Sequence, residues 1–294
     1  MRIVLGYSAG ASSDLLTRLV AEEMRKSLGR PIVVENKPGA AGMVGNETVK
    51  AAPKDGNTIL LTPVATMAIF PHSYGASLRY DPFQDFAPVA HVASFQLGLG
   101  VGTEIPARNL AEYVALVKRD PKAGFYASAA AGSIPHFLGV MFARAAGIEM
   151  VHVPYKGTAP AMQALAAGEI AAASTVVADI GALVKAGKAR LLATAGPRRM
   201  AEYPDVATFR EQGYDIEGEG WYAFFAPAGT PPAAIERIGA AAIHAVRETG
   251  ARQRIEAMGL EPTGLPAAEL AAILKADYER WGPVIRASGF KPSQ

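Results

Sequence analysis

The stretch that decides the fold reads IVLGYSAGASSD, from Ile3 to Asp14. Its first residues are apolar, which is typical of a buried strand and predicts one over Ile3–Tyr7. Small residues follow, and from Ser13 onward apolar side chains recur every three or four positions. That spacing predicts a helix over about Ser13–Leu28, with Asp14 in its first turn, where a negative charge suits the helix dipole. The stretch therefore predicts a strand, a turn of small residues and a helix in direct succession.

Further turns of small residues join an apolar run to a helix-like segment. Beside Ser8–Asp14, they are Pro63–Thr66, Ala129–Ser133, Lys156–Pro160 and Thr175–Asp179. A turn of this kind leaves the first N–H groups of the next helix unpaired, at the positive end of the helix dipole. Small side chains let an anion approach those groups closely. Because five such turns occur with little acid–base chemistry nearby, the sequence predicts a protein that holds an organic anion without transforming it.

The order of strands and helices predicts two α/β units. In the first, strands are expected at Ile32–Glu35 and Thr58–Thr62, with a helix over Met43–Ala52 between them. This order implies a parallel sheet with right-handed crossovers. In the second, strands are expected at Phe125–Ser128, Val151–Pro154, Ala171–Val176 and Leu191–Thr194, with helices at Pro135–Ala146, Ala159–Ala167 and Ile180–Ala186. A helix from Thr230 to about Thr249, then a short and a long helix, are expected to end near Ser288.

Two crossings are expected to join these units. The first follows the extended stretch Phe86–Val101, and the second lies at Gly218–Pro227. Residues 1–101 and 226–294 would then form one lobe, and residues 102–225 the other. Ligands of such sheets bind at the carboxyl ends of the strands. We therefore expect the five turns to surround one ligand cleft between two lobes.

Composition excludes several classes of protein. The 294 residues are long enough for two domains, and their net charge of +2 is too small to indicate nucleic acid as a partner. No apolar run is long enough to span a bilayer. The absence of cysteine excludes disulfides and thiolate chemistry, and it is compatible with an oxidising compartment. The chain is expected to be either cytosolic or a mature form whose export signal has been removed.

Side chains that could carry chemistry are few and scattered. The five histidines have no zinc-binding spacing, and for His136 both a ligand contact and plain packing stay open. Ser12 and Ser13 are typical of helix caps, since no Gly-x-Ser-x-Gly motif is present. Asp14 and Asp179 could form a catalytic pair, but aspartates at helix ends usually cap or complement the dipole. Lys156 either neutralises an anion or is solvated.

No nucleotide or metal cofactor is expected. The stretch Gly98–Gly102 reads GLGVG, but it lacks the following helix and the downstream acidic residue of a dinucleotide site. Trp221 and Tyr222 lie in an apolar strand and are expected in the core.

The sequence resembles the Bug-type solute receptors of tripartite tricarboxylate transporter systems. The matching stretches run nearly end to end: 10–14 (GASSD), 33–40 (VVENKPGA), 80–82 (YDP), 85–89 (DFAPV), 151–157 (VHVPYKG), 185–188 (KAGK), 191–193 (LLA), 226–231 (APAGTP) and 280–282 (RWG). The resemblance implies a two-lobed periplasmic-binding-protein fold (type II), its first lobe completed by the C-terminal helices. It also implies a carboxylate held by backbone N–H groups and water.

Three positions depart from the family pattern. The chain has Ala9-Gly10-Ala11 where the family usually has Pro-Gly-Gly, and Ser133-Ile134-Pro135-His136 where it usually has Thr-Ser-Gln-His. Thr175 stands where an aspartate is frequent. These changes alter polar groups of the expected site, so the ligand cannot be copied from a relative.

The resemblance and the turns together predict the ligand, its contacts and its partners. A small organic carboxylate, either a dicarboxylate or an aromatic acid, is expected to be received in the periplasm by a monomer and passed to the membrane components of a tripartite tricarboxylate transporter. The alternatives are a receptor that presents its ligand to a sensor protein and a cytosolic α/β enzyme acting on a carboxylate. The residues expected to contact the ligand are Tyr7, Ala9, Gly10, Ala11, Ser12, Ser13, Asp14, Val64, Ala65, Thr66, Ser128, Ala131, Gly132, Ser133, His136, Tyr155, Gly157, Thr158 and Thr175.

Overall fold

The computed structural model describes residues 1–290, in which strands and helices alternate. The strands are β1 (Arg2–Leu5), β2 (Val33–Asn36), β3 (Thr58–Pro63), β4 (Phe86–Gly102), β5 (Phe125–Ser128), β6 (Val151–Pro154), β7 (Ala172–Val176), β8 (Ala189–Thr194), β9 (Glu219–Pro227) and β10 (Glu261–Pro266). The α-helices are α1 (Ser12–Leu28), α2 (Met43–Lys50), α3 (Phe70–Ser73), α4 (Leu110–Arg119), α5 (Ile134–Ala146), α6 (Thr158–Ala166), α7 (Val177–Lys185), α8 (Pro232–Arg247), α9 (Ala251–Ala257) and α10 (Ala267–Ser288). Short 3-10 turns lie at Ala40–Gly42, Gly75–Ser77 and Pro121–Gly124, and a π-helix lies at Ala65–Ile69.

Two compact units divide the chain. Unit 1 comprises Met1–Ser94 together with the chain from Trp221 onward, and unit 2 comprises Phe95–Gly220. The chain passes from one unit to the other inside β4 and again inside β9. The boundaries expected from the sequence, at 101/102 and 225/226, lie somewhat later along the chain. Because β4 is a continuous strand of 17 residues, its sequence carries no break that marks the division.

Unit 1 is built on a parallel core of three strands. β1 pairs with β2 on one side and β3 on the other, so that Ile3 faces both Val34 and Ile59. β9 is antiparallel to β3, and β10 is antiparallel to the first part of β4. The helix α1 covers this sheet together with α8, against which it packs. Its buried face includes Leu16, Leu19, Val20 and Met24, whereas Leu15 is exposed.

Unit 2 repeats the same plan. β5 lies between β6 and β7, and all three strands are parallel. The second part of β4 is antiparallel to β7 and to β8. One core cluster of α6, α7 and the sheet includes Leu165, Val177, Ile180 and Leu191. In both units the strands predicted as parallel are parallel, so the carboxyl ends of neighbouring strands meet at one edge of each sheet.

Several elements differ from the sequence-based expectation. α4 was not expected, and neither was the π-helix that follows β3. The helix expected at Ile180–Ala186 begins earlier, at Val177, directly after β7 ends at Val176. The fifth expected turn, Thr175–Asp179, is therefore wrong as a loop. The run Val176-Val177 has strand propensity, but Val177 is fully buried in the core cluster and is helical, so packing overrides local preference.

Candidate functional site

The first small-residue turn gives α1 an N-terminus without a side-chain cap. The N-cap is Ala11, whose carbonyl accepts hydrogen bonds from Asp14 N–H at 3.0 Å and Leu15 N–H at 3.1 Å. Just before it, Gly10 has a φ of +93°, and a Cβ built there would have no atom within 4 Å. Gly10 therefore adopts a backbone conformation that residues with a Cβ rarely adopt. Ala9 and Gly10 are exposed, so this helix end lies at the surface of unit 1.

Asp14 is a brace of this turn. Its side chain is buried, and its Oδ2 accepts from Gly10 N–H at 3.1 Å and from Arg18 Nε at 3.0 Å. Oδ1 accepts from Asn36 Nδ2 at 2.9 Å and lies 3.0 Å from Arg18 Nη2. Burial alone would raise the pKa of Asp14, but the hydrogen bonds from Arg18, Asn36 and Gly10 lower it, so the carboxylate is charged. A carboxylate surrounded by donors of its own chain fixes the turn and has little capacity left for a ligand.

Two expectations about this turn are corrected. The N–H of Gly10 is not left unpaired for a ligand, because it donates to Asp14. Ser12 and Ser13 do not cap α1, because the helix begins at Ser12 and its N-cap is an alanine. Both serines are buried, and Ser12 Oγ lies 3.5 Å from the hydroxyl of Tyr222. Tyr222 is buried, as expected of a core residue, and it also contacts the turn.

Tyr7 and the loop after β2 support the same turn from a second side. Tyr7 Oη donates to Ala41 O at 3.1 Å, and Asn36 Nδ2 donates to Tyr7 O at 2.9 Å. In this loop four consecutive residues, 39–42, have a positive φ, although two of them, Ala40 and Ala41, are not glycine. Burial raises the pKa of Tyr7, so its hydroxyl is neutral. The sequence did not identify Asn36 as a brace, and the only signal for it was its position at the end of β2.

The second expected turn, Pro63–Thr66, is not a loop either, because a helical segment with Val64 as its N-cap follows β3 directly. Val64, Ala65 and Thr66 are all buried. Thr66 Oγ1 lies 2.6 Å from Thr62 Oγ1 and 3.1 Å from Pro63 O, and the carbonyl of Thr66 accepts from Tyr80 Oη at 2.7 Å. The hydroxyl of Thr66, a residue expected to contact a ligand, is thus hydrogen-bonded within the chain. A contact of this turn with a ligand stays a prediction.

In unit 2, the turn between β5 and α5 is held by its own side chains. Ser128 Oγ donates to Ala130 O at 3.0 Å, and Ser133 Oγ donates to the same carbonyl at 2.7 Å. Gly132, with a φ of +73°, donates its N–H to Nδ1 of His136 at 3.0 Å. Ser133 is the N-cap of α5, but its hydroxyl makes no capping bond. The N–H of Gly132 is therefore used by His136, and a contact of Gly132 with a ligand stays a prediction.

His136 and His152 form a stacked pair beside this turn. Their ring centroids are 4.0 Å apart, and His152 Nε2 lies 2.7 Å from Ser128 Oγ. Burial lowers the pKa of His136 to about 4 and, together with repulsion from His136, the pKa of His152 to about 3. His136 is the third residue of α5, not the second, because the helix begins at Ile134. His152 was not among the residues expected to contact the ligand. Its contact with Ser128 follows from the register of β5 and β6, in which Tyr126 faces His152, and could not be identified before that pairing was known.

The structure brings the turn Lys156–Pro160 next to the turn Ala129–Ser133. Gly157 N–H donates to Ala129 O at 3.1 Å, and Tyr155 N–H donates to Ser128 O at 2.9 Å. Gly157 is the N-cap of α6 with a φ of +109°, and Thr158 is the first residue of that helix. Thr175 is buried near the end of β7, opposite Gly98 of β4. The helices α5, α6 and α7 therefore begin after the carboxyl ends of the parallel strands β5, β6 and β7, respectively.

Tyr155 also lines a separate groove of unit 2. This groove, of about 560 Å³, is lined by apolar and by charged residues. They include Phe125, Val153, Ile170, Glu104, Asp120, Lys122 and Glu169. Lys156 is exposed. Tyr155 therefore contacts the turn through its backbone N–H and also lines this groove.

Most of the expected site residues therefore lie in two clusters, one in each unit. Tyr7 to Asp14 lie together in unit 1, and Ser128 to His136 lie with Tyr155 to Thr158 in unit 2. The proposed common cleft for both clusters remains a prediction. In residues 1–290 no helix is long and apolar enough to cross a membrane, and no group of three or more His, Cys, Asp or Glu side chains is arranged for a metal ion. The geometry offers helix N-termini and neutral imidazoles, which suits binding of an anion.

Comparisons with known proteins give the family. Residues 16–290 match the tripartite tricarboxylate transporter family receptor. A UPF0065 protein in the gbd 5' region of Cupriavidus necator is 31% identical over 297 residues, which cover 100% of this chain and 89% of that relative.

Three solved structures are similar over nearly their whole length. The periplasmic binding protein BugD has a TM-score of 0.93 at 28% identity, covering 100% of this chain and 98% of its own. R. palustris Rpa4515, solved with adipate, has a TM-score of 0.95 at 26% identity, and the match covers 100% of this chain and 98% of that chain. MatC of Rhodopseudomonas palustris, solved with bound malate, has a TM-score of 0.89 at 28% identity, and the match covers 97% of this chain and 98% of that chain. The resemblance read from the sequence and the predicted fold class, that of the two-lobed α/β periplasmic binding proteins, are both confirmed, and the chain belongs to the tripartite tricarboxylate transporter receptor family.

Proposed function

We propose that this receptor binds a small organic carboxylate, of the dicarboxylate or aromatic-acid class, and delivers it to the membrane subunits of a tripartite tricarboxylate transporter. The observation that carries the proposal is the N-terminus of α1. Its N-cap, Ala11, has no capping side chain, and the turn before it is locked by Asp14. Likeness to proteins solved with adipate and with malate supports the ligand class.

The electrostatics of α1 favour a carboxylate there. A helix N-terminus carries a positive partial charge, and its first N–H groups point outward. Since Gly10 N–H is taken by Asp14, we propose Ala11 and Ser13 as the backbone donors to the ligand. The charge of Asp14 is balanced by the guanidinium of Arg18, and Asn36 donates a hydrogen bond to the same carboxylate, which limits its repulsion of an incoming anion.

Such a site can supply the free energy of binding that micromolar affinity requires. Micromolar affinity corresponds to about −8 kcal/mol. Small ligands can gain roughly 1 kcal/mol or more per heavy atom. A dicarboxylate of about ten heavy atoms can therefore reach that affinity through preorganised backbone donors, without a lysine or arginine as its direct partner.

Binding to a panel of acids tests the ligand class. Malate, adipate and benzoate should each be titrated by calorimetry, with glucose and putrescine as matched controls of other chemistry. We expect at least one of the acids to bind and to raise the melting temperature, because binding to the folded state alone stabilises it. Binding of only the sugar or the amine would overturn the proposal.

Partner and location need separate measurements. We propose a periplasmic location, which osmotic-shock fractionation of the producing cells tests; recovery only with the cytosolic fraction would contradict it.

Capture of membrane proteins by the immobilised receptor, with and without the bound acid, tests delivery. Recovery of transporter subunits supports transport, whereas recovery of a sensor kinase alone would replace that part of the proposal.

A further inference from the structure

The turn between β5 and α5 contains a chain of hydrogen bonds that ends at His152. Ser128 has one hydroxyl proton, and that proton goes to Ala130 O, 3.0 Å away. With that proton used at Ala130, we assign the 2.7 Å contact between Ser128 Oγ and His152 Nε2 to donation by the imidazole. His152 is therefore the Nε2–H tautomer, and it orients the hydroxyl that holds Ala130.

His136 has the same tautomer for a different reason. Its Nδ1 accepts the N–H of Gly132 at 3.0 Å, so that nitrogen carries no proton and a neutral ring is protonated at Nε2. An imidazolium would have a proton on both nitrogens and could not accept this bond. The contact with Gly132 consequently exists only while His136 is neutral.

The ring of His152 stacks on that of His136, with 4.0 Å between the centroids. Tyr126 completes the packing: its ring centroid lies 5.2 Å from that of His152, and its Oη donates to His136 O at 2.9 Å. The ring of Tyr126 itself is tightly fixed, since a Cβ added at Gly139 would lie 2.3 Å from it. Both ends of the turn, at Ser128 and at His136, are thus held by residues outside the turn.

We propose that His152 is a positioning residue for the ligand site of unit 2. Through Ser128 and by stacking on His136, it holds Ala129–Ser133 in the shape that presents the N-terminus of α5 to the carboxylate. This role rests on the proposed function. His152 itself need not touch the ligand.

The surroundings of the pair keep both rings neutral. Facing them are Tyr126 and Ser128 from β5, Gly132 from the turn and Phe137 from α5. Burial lowers the pKa of His136 to about 4, and burial with repulsion from His136 lowers that of His152 to about 3. Burial raises the pKa of Tyr126, so its hydroxyl stays protonated. The hydrogen-bond chain is therefore intact across the range pH 6–8.

Three variants distinguish a positioning role of His152 from an effect of side-chain size alone. His152→Gln keeps an N–H donor toward Ser128 and cannot titrate, His152→Leu removes the donor at similar size, and Ser128→Ala removes the next link. With malate and adipate as calorimetric probes at pH 7.5, we expect His152→Leu and Ser128→Ala to weaken binding about threefold to tenfold, the worth of one hydrogen bond. His152→Gln should stay within about twofold of the unaltered protein. Equal loss in His152→Gln and His152→Leu, or no loss in His152→Leu, would overturn the proposal.

A measurement without ligand keeps the inference testable on its own. Long-range ¹H–¹⁵N spectra of the histidine rings should show both as Nε2–H tautomers that do not titrate between pH 8 and pH 6. The amide of Gly132 should exchange with solvent faster in His152→Leu than in His152→Gln. An Nδ1–H tautomer, titration near pH 6.5 or unchanged Gly132 exchange contradicts the positioning role. Failure of every acid to bind, with these signals as expected, rejects the proposed function and leaves the hydrogen-bond chain established.

Discussion

Gly10 lies where the chain turns from β1 into α1, with a φ of +93° and open space where a Cβ would stand. A valine there adopts a left-handed conformation at a cost of about 1–2 kcal/mol and places a branched side chain in front of the helix N-terminus. We expect Gly10→Val to abolish calorimetric binding of malate and adipate while circular dichroism shows an intact fold.

The other end of the same helix provides the control. Gly29 ends α1 with a φ of +62° and also has open space at its Cβ position. Gly29→Val should therefore lose a similar amount of stability and keep its affinity. Equal affinity in both variants would remove the α1 turn from the site.

Ala41 carries backbone strain beside that turn. Its φ is +54°, which is unfavourable for a residue with a Cβ by about 1–2 kcal/mol, whereas the extra freedom of glycine in the unfolded chain costs about 0.5–1 kcal/mol. Ala41→Gly should therefore raise the free energy of unfolding by about 0.5–1 kcal/mol. Denaturant titration measures it, with Ala51→Gly as the control, since Ala51 has a φ of −83° and should only lose stability. A loss in Ala41→Gly would show that the loop is not strained.

Among the elements, α4 has the most complete N-terminal cap. Asn109 Oδ1 accepts from Glu112 N–H at 2.8 Å, and Glu112 Oε2 accepts from Arg108 N–H at 2.8 Å. Asn109→Ala should lower the free energy of unfolding by about 1 kcal/mol, the usual worth of an N-cap. Asn109→Asp retains an acceptor and should stay close to the unaltered protein in the same denaturant titration. Equal losses in the two variants would show that the cap contributes nothing.

The same elements show how far the sequence could predict the structure. The succession of strand, turn and helix at β1 and α1 is encoded in local periodicity, and it was predicted. The spacing Asn109-x-x-Glu112 is a readable capping signal for α4 that was not used. The start of α7 at Val177 could not be read, because burial of Val177 decides it against local propensity.

The candidate site shows a similar division. The small residues before α1, α5 and α6 mark turns, and these were predicted, whereas the turns expected after β3 and β7 are not loops. Asn36 and His152 reach the turns only through strand register, from positions 22 and 24 residues away from Asp14 and Ser128. Contacts of this kind depend on which strands pair, so a single sequence without that pairing could not reveal them.

For the whole molecule, buried histidines link stability to pH. Burial lowers the pKa of His91 and His136 to about 4, and burial with repulsion from His136 lowers that of His152 to about 3, each from an ordinary value of 6.5. Below pH 6.5 the unfolded chain takes up protons that the folded chain does not, so stability falls as the pH decreases. Between pH 7 and pH 5 we expect the free energy of unfolding to drop by on the order of 1 kcal/mol per histidine.

Denaturant unfolding at pH 5, 6 and 7 measures this drop. His91→Gln should remove about a third of it, because His91 belongs to unit 1 and the stacked pair to unit 2, and we treat their contributions as additive. A protein that is equally stable or more stable at pH 5 would contradict the expectation.

The division of the chain inside β4 and β9 has a consequence for the order of events on the ribosome. Unit 2 is one uninterrupted segment, and its ends are already joined by the hydrogen bond from Leu97 N–H to Gly218 O, at 2.9 Å. It can finish folding as soon as that segment has been synthesised. Unit 1 cannot, because β3 needs β9 and α1 needs α8, both made more than 150 residues later. The first 94 residues therefore spend most of translation with apolar strands uncovered, which makes the N-terminal sheet the part of the nascent chain most in need of a chaperone.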